Sequence, residues 1–152
     1  MTHSLTLRSL LPLALCFALL ASLGGCGKFI GNKSGSCKAG EKCECDGMGN
    51  CKQVCDGPGC ELSCAGMGNC IFECPEGKCK VTNEATGNVT LGCEKGGCTV
   101  SSSGTGNVIV TCEGGGCELE CSGTSNCQIQ KCSKGCKTHC SGNGTCTCPS
   151  GC

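Results

Sequence analysis

Cys60, Cys79, Cys98, Cys117 and Cys136 stand nineteen residues apart. A fixed interval of this size marks a repeat, and a repeat limits the fold to units that stack on copies of themselves. Four full units follow one another: CELSCAGMGNCIFECPEGK, CKVTNEATGNVTLGCEKGG, CTVSSSGTGNVIVTCEGGG and CELECSGTSNCQIQKCSKG. An earlier unit begins near Glu41 without its leading cysteine, and a shortened one runs from Cys136 to Cys152.

Each unit holds two short segments of alternating character, such as Cys60-Glu61-Leu62-Ser63-Cys64 and Cys70-Ile71-Phe72-Glu73-Cys74. Alternation with period two predicts a strand with one buried face. Between the segments lies Ala65-Gly66-Met67-Gly68-Asn69, and after them Pro75-Glu76-Gly77-Lys78. Glycine and asparagine suit turns because they tolerate positive φ. Leu62, Val81, Val100 and Leu119 share one aligned place. Phe72, Leu91, Val110 and Ile129 share a second, and Asn50, Asn69, Asn88, Asn107 and Asn126 a third.

The expected class is all-β. An antiparallel β meander would leave its Leu, Val and Phe face uncovered. A β-solenoid of about six 19-residue coils buries that face inside each coil and stacks the asparagines into a ladder, so the solenoid is preferred. With strands about 4.8 Å apart, it would form a rod roughly 30 Å long.

The repeats also carry information on cysteine pairing. In the second and third full units two cysteine places are lost together: Asn83 and Val89 in one, Ser102 and Val108 in the other. Places lost together are expected to be bonded together, which suggests Cys45–Cys51, Cys64–Cys70, Cys121–Cys127 and Cys140–Cys146. The remaining repeat cysteines could close within a coil, as Cys60–Cys74. They could instead cross the second turn as Cys55–Cys60, Cys74–Cys79, Cys93–Cys98, Cys112–Cys117 and Cys132–Cys136. The chain ends favour the second scheme. The first unit has Cys55 but Glu41 in the early place; the last has Cys136 but Ser150 in the late place. Cys37–Cys43 and Cys148–Cys152 then complete eleven pairs.

The N-terminus reads MTHSLTLRSLLPLALCFALLASLGGC. An apolar run from Leu10 to Leu20 is short for a membrane span and suits the middle of a secretory signal. Leu23-Gly24-Gly25-Cys26 resembles the lipobox of bacterial lipoproteins. That resemblance implies a diacylglyceryl thioether on Cys26 and cleavage just before it. Parity agrees. Of 24 cysteines, Cys16 would leave with the signal, and lipid on Cys26 would leave an even number to pair. The expected organisation is a signal peptide over 1–25, a lipidated N-terminus and tether over 26–36, and a cysteine-rich repeat domain over 37–152. The expected location is the cell envelope, lipid-anchored, and the outer membrane in a host with two membranes.

Composition narrows the function. After Cys26 there is no Trp, Tyr or Arg, and only Phe29 and Phe72 are aromatic. A chain this poor in core residues relies on cross-links. Acidic and basic residues balance at 12 each, with no basic stripe, so nucleic acid is not an expected partner. Cys43-x-Cys45 and Cys146-x-Cys148 are the only Cys-x-Cys pairs; the even spacing of the rest suits staples better than a thiolate cluster, so no metal is expected. Asp46 and Asp56, the only mature aspartates, cannot supply a calcium-binding repeat. His139 is the only mature histidine, and Glu118 and Glu120 are read as facing water. No nucleophile–base set, phosphate loop or cofactor motif is present, so no catalytic residue and no cofactor are expected. Gly87-Asn88-Val89 and Gly106-Asn107-Val108 resemble the repeats of a family of exported bacterial proteins of unknown function. The resulting expectation is a rigid envelope module, structural or adhesive, held to the membrane by its lipid and facing an envelope or surface protein partner. The alternative is a metal-binding or redox-buffering thiol-rich lipoprotein.

Overall fold

The computed structural model describes residues 29–150 and 152. Fourteen strands alternate between two sheets. The first sheet holds β1 (Phe29–Ile30), β3 (Lys42–Met48), β5 (Glu61–Gly66), β7 (Lys80–Asn83), β9 (Thr99–Ser102), β11 (Glu118–Cys121) and β13 (Lys137–Cys140), in that order. The second holds β2 (Lys33–Lys38), β4 (Cys51–Asp56), β6 (Cys70–Glu73), β8 (Val89–Gly92), β10 (Asn107–Thr111), β12 (Asn126–Gln130) and β14 (Cys146–Thr147). Every pairing within a sheet is parallel. Each strand therefore pairs with the next-but-one, and the chain winds as a β-solenoid. The meander is excluded, because consecutive strands lie in opposite sheets.

The register shows why the repeat folds this way. Cys43, Leu62, Val81, Val100, Leu119 and Thr138 stand opposite one another along the first sheet. Gln53, Phe72, Leu91, Val110 and Ile129 do so along the second. From Leu62 to Leu119 and from Phe72 to Ile129 these side chains are buried and form the core between the sheets. A parallel sheet with one period per coil puts like on like, so each residue type has to pack only against its own kind.

The first turn needs a nearly bare backbone. A Cβ on Gly68 would overlap the carbonyl oxygen of Gly49, and one on Gly87 the carbonyl oxygen of Gly68. Glycine here is a matter of space between stacked turns, since neither residue has a positive φ.

One sequence expectation is refined by the structure. The stretch read as a tether, 26–36, is in part a coil of the solenoid: Lys33, Ser34, Gly35 and Ser36 lie in β2, opposite Cys51, Lys52, Gln53 and Val54. This first coil is one residue short of the repeat, an interval of eighteen, as in Cys37 to Cys55. The signal and lipid expectations, Cys26 included, fall on residues outside the described ones.

Candidate functional site

The solenoid's distinctive chemistry lies in its two columns of turns. At the second turn the bonds are Cys55–Cys60, Cys74–Cys79, Cys93–Cys98, Cys112–Cys117 and Cys132–Cys136. At the first turn they are Cys45–Cys51, Cys64–Cys70, Cys121–Cys127 and Cys140–Cys146. Cys37–Cys43 and Cys148–Cys152 lie at the two ends. The Cα atoms of each pair are 5.7 to 6.7 Å apart, the separation that a disulfide spans. No pair closes a coil, because Cys60 is joined to Cys55 and Cys74 to Cys79. Among the described residues every cysteine is bonded.

The last full second turn departs from the repeat. Lys131 holds the place aligned with Cys112, the cysteine follows at Cys132, and Lys131 takes a positive φ of 53°. The turn to Cys136 is correspondingly one residue shorter than the others.

The asparagines form the expected ladder. Asn69 Nδ2 donates to Asn50 Oδ1 at 3.0 Å. Asn69 Oδ1 accepts from the backbone N–H of Asn88, and Asn88 Oδ1 from that of Asn107, both at 2.9 Å. The ladder reaches further than the aligned repeats: Asn32 Oδ1 accepts from Asn50 N–H, and Asn126 Oδ1 from Thr145 N–H. Asn32 was missed because its interval to Asn50 is eighteen.

A second polar feature lies inside. In the two coils without a first-turn disulfide, Asn83 and Ser102 occupy the cysteine place, opposite Cys64 and Cys121 in register. Asn83 is fully buried. Its Nδ2 donates to Ser102 Oγ at 2.8 Å, and its Oδ1 accepts from Ala85 N–H at 3.0 Å. Ser102 Oγ lies 3.4 Å from Ser125 Oγ, which donates to the Gly104 carbonyl at 2.9 Å. Val89 and Val108, also fully buried, fill the other cysteine place. No buried side-chain N or O among the described residues lacks a partner. The paired loss of cysteines signals this spot, but not that its replacement is a chain of hydrogen bonds.

The outer faces carry the remaining candidates. Glu118 stands opposite Lys137, and Glu120 opposite His139, on the solvent side of the first sheet. These four and Cys152 line an open depression at the C-terminal end. The sheet thus brings together the carboxylate pair and the lone histidine, all exposed. Three groups of possible metal ligands have their donor atoms within 4.8 Å of one another: Cys55, Cys74 and Cys79; Cys93, Cys98 and Cys117; and Cys37, Glu41 and Cys43. All of these sulfurs are in disulfides, which leaves no thiolate to bind a metal. Glu41 is also engaged, its carboxylate accepting from Lys38 N–H at 2.9 Å.

Fold and cross-links together define a disulfide-braced two-sheet β-solenoid. No protein-family model, curated protein or solved structure matches the chain.

Proposed function

We propose that the chain is an exported lipoprotein, anchored through lipid on Cys26, that holds a rigid repeat module at the cell envelope in a structural or adhesive role. The observation that carries the reading is the complete pairing of the described cysteines. Eleven disulfides use every cysteine from Cys37 to Cys152. Cys26 is then the one mature cysteine outside that set, and it directly follows Leu23-Gly24-Gly25. Dense disulfides belong in an oxidising compartment, which an exported protein enters. No catalytic role is proposed for any residue, and the module would act by shape and durability, with its partner an envelope or surface protein.

Cys26→Ser is the test. The wild-type chain should incorporate labelled fatty acid and enter the detergent phase, and Cys26→Ser should do neither. Unchanged labelling in the variant would sink the lipoprotein reading. The second reading is a thiol-rich metal or redox buffer, and it would need the clustered sulfurs of Cys55, Cys74 and Cys79 and of Cys93, Cys98 and Cys117 to be reduced. Alkylation of the unreduced protein separates the two, because a stapled module takes up no label and a thiol buffer takes up several.

A further inference from the structure

Among the described residues the exposed large hydrophobic ones are unevenly placed. Ile30, Met48, Met67 and Ile71 are 77%, 50%, 65% and 41% exposed, and all lie in the coils nearest the N-terminus. Three of them form one ridge. Ile30 pairs with Met48 in the first sheet. Met67 follows one repeat on, its N–H donating to the Gly47 carbonyl at 2.9 Å. The same backbone bond recurs along this edge, Thr86 to Gly66 and Thr105 to Ala85. The edge therefore runs Ile30, Met48, Met67, Thr86, Thr105, Thr124, with Thr86, Thr105 and Thr124 exposed. It is apolar over its first three places and polar beyond them. The apolar side chains are flanked in sequence by Gly31, Gly47, Gly49, Gly66 and Gly68, and each is at least half exposed.

We propose that this ridge is the surface by which the solenoid rests on the membrane that holds its lipid. The inference rests on the anchoring proposed above for Cys26. Ile30 lies only four positions after Cys26, and four residues span at most about 14 Å. An anchor at Cys26 therefore keeps Ile30 within about that distance of the lipid-bearing residue. Apolar side chains held there gain by entering the boundary between headgroups and acyl chains, which a water-facing edge gives them no means to do. Methionine suits the place, because its flexible thioether packs against irregular surfaces. The threonines that follow mark where the edge leaves the interface.

The chain has no tryptophan, so a single one reports its own surroundings. Full-length, lipid-bearing Met67→Trp and Thr124→Trp would be reconstituted into phosphatidylethanolamine/phosphatidylglycerol vesicles containing a brominated phospholipid. The expected result is a blue-shifted emission that loses most of its intensity in Met67→Trp, and an unshifted, unquenched one in Thr124→Trp. As a second readout, Met48 and Met67 are the only methionines after Met1, so intact mass counts their oxidation. Hydrogen peroxide converts each thioether to a sulfoxide with release of water. Both should react several-fold more slowly in the vesicle-bound wild type than in soluble Cys26→Ser. If both tryptophan variants float with the vesicles and neither is quenched, the ridge proposal is overturned and the anchor stands. A chain that does not float at all takes both readings down.

Discussion

The solenoid closes its first turn in two ways. Cys45–Cys51, Cys64–Cys70, Cys121–Cys127 and Cys140–Cys146 tie the turn to itself. In the two central coils Asn83 and Ser102 bond along the axis instead, from one coil to the next and on to Ser125. The backbone register passes through both regions without a break: Cys64, Asn83, Ser102 and Cys121 stand opposite one another in turn. The disulfide is therefore not what shapes the coil. Period, glycine turns and like-on-like packing shape it, and the cross-link acts mainly by restricting the unfolded chain. The central coils give up that restriction and gain a directional link between coils.

The strongest way to break this comparison is Asn83→Val. It leaves the buried N–H of Ala85 without its acceptor and removes the donor to Ser102 Oγ. An unmet buried polar group costs about 1–3 kcal/mol, so a loss of about 3 kcal/mol is expected in guanidinium unfolding of the unreduced protein. A change below about 0.5 kcal/mol would mean that the polar chain contributes nothing.

The second test moves the central solution outward. Cys121→Ala with Cys127→Ala removes a loop constraint worth about 2 kcal/mol and opens space in the core. Cys121→Ser with Cys127→Val copies the central coils, and a serine at 121 stands opposite Ser102, where it can extend the chain from Asn83. The Ser/Val pair should therefore recover about 1 kcal/mol relative to the Ala pair, the worth of one hydrogen bond. Thermal melts of the two variants, side by side, read the difference. Equal melts would show that a polar link cannot replace the covalent one outside the central coils.

How far the sequence announced these features depends on whether they obey the interval of nineteen. The alternation at Leu62 and Phe72 and the asparagine places all repeat at that interval, and a solenoid follows from them because only stacking buries every copy. Several features off the interval were hidden. The first coil is offset by eighteen, so β2 read as a tether and Asn32 was not seen as part of the ladder. Lys131 displaces the cysteine by one residue, a shift the sequence shows, but only the backbone shows that Lys131 takes a positive φ there. Gln53 stands in the Phe72 column and is buried, its Nε2 3.9 Å from Cys51 Sγ. The interval of nineteen gives its place opposite Phe72, but a polar residue there gives no sign of its burial. Glu120 and His139 stand nineteen residues apart, so the interval itself sets them side by side, as the register of β11 against β13 shows.

The smallest expected effect sharpens the same comparison at the second turn. Two central coils cross it on glycine pairs, Gly96-Gly97 and Gly115-Gly116, all at positive φ. The flanking coil uses Gly77 and Lys78, and Lys78 takes φ 58° where Gly97 and Gly116 take 69° and 66°. A side chain in this region costs about 1–2 kcal/mol, offset in part because glycine leaves the unfolded chain freer by about 0.4–1 kcal/mol. Lys78→Gly should therefore stabilise by about 0.5 kcal/mol. Among the described residues the lysine makes no ion pair that would be lost; the pair at this turn joins Glu76 to Lys95. Gly97→Ala runs the other way. A Cβ there would meet Lys78 Cγ at 3.6 Å, an ordinary contact, so only the backbone strain counts, and a loss of about 1 kcal/mol is expected. Melts of the two variants should fall on opposite sides of the wild type. If Lys78→Gly also destabilises, its side chain contributes packing that outweighs the strain, and the glycine pairs of the central coils are not the better solution.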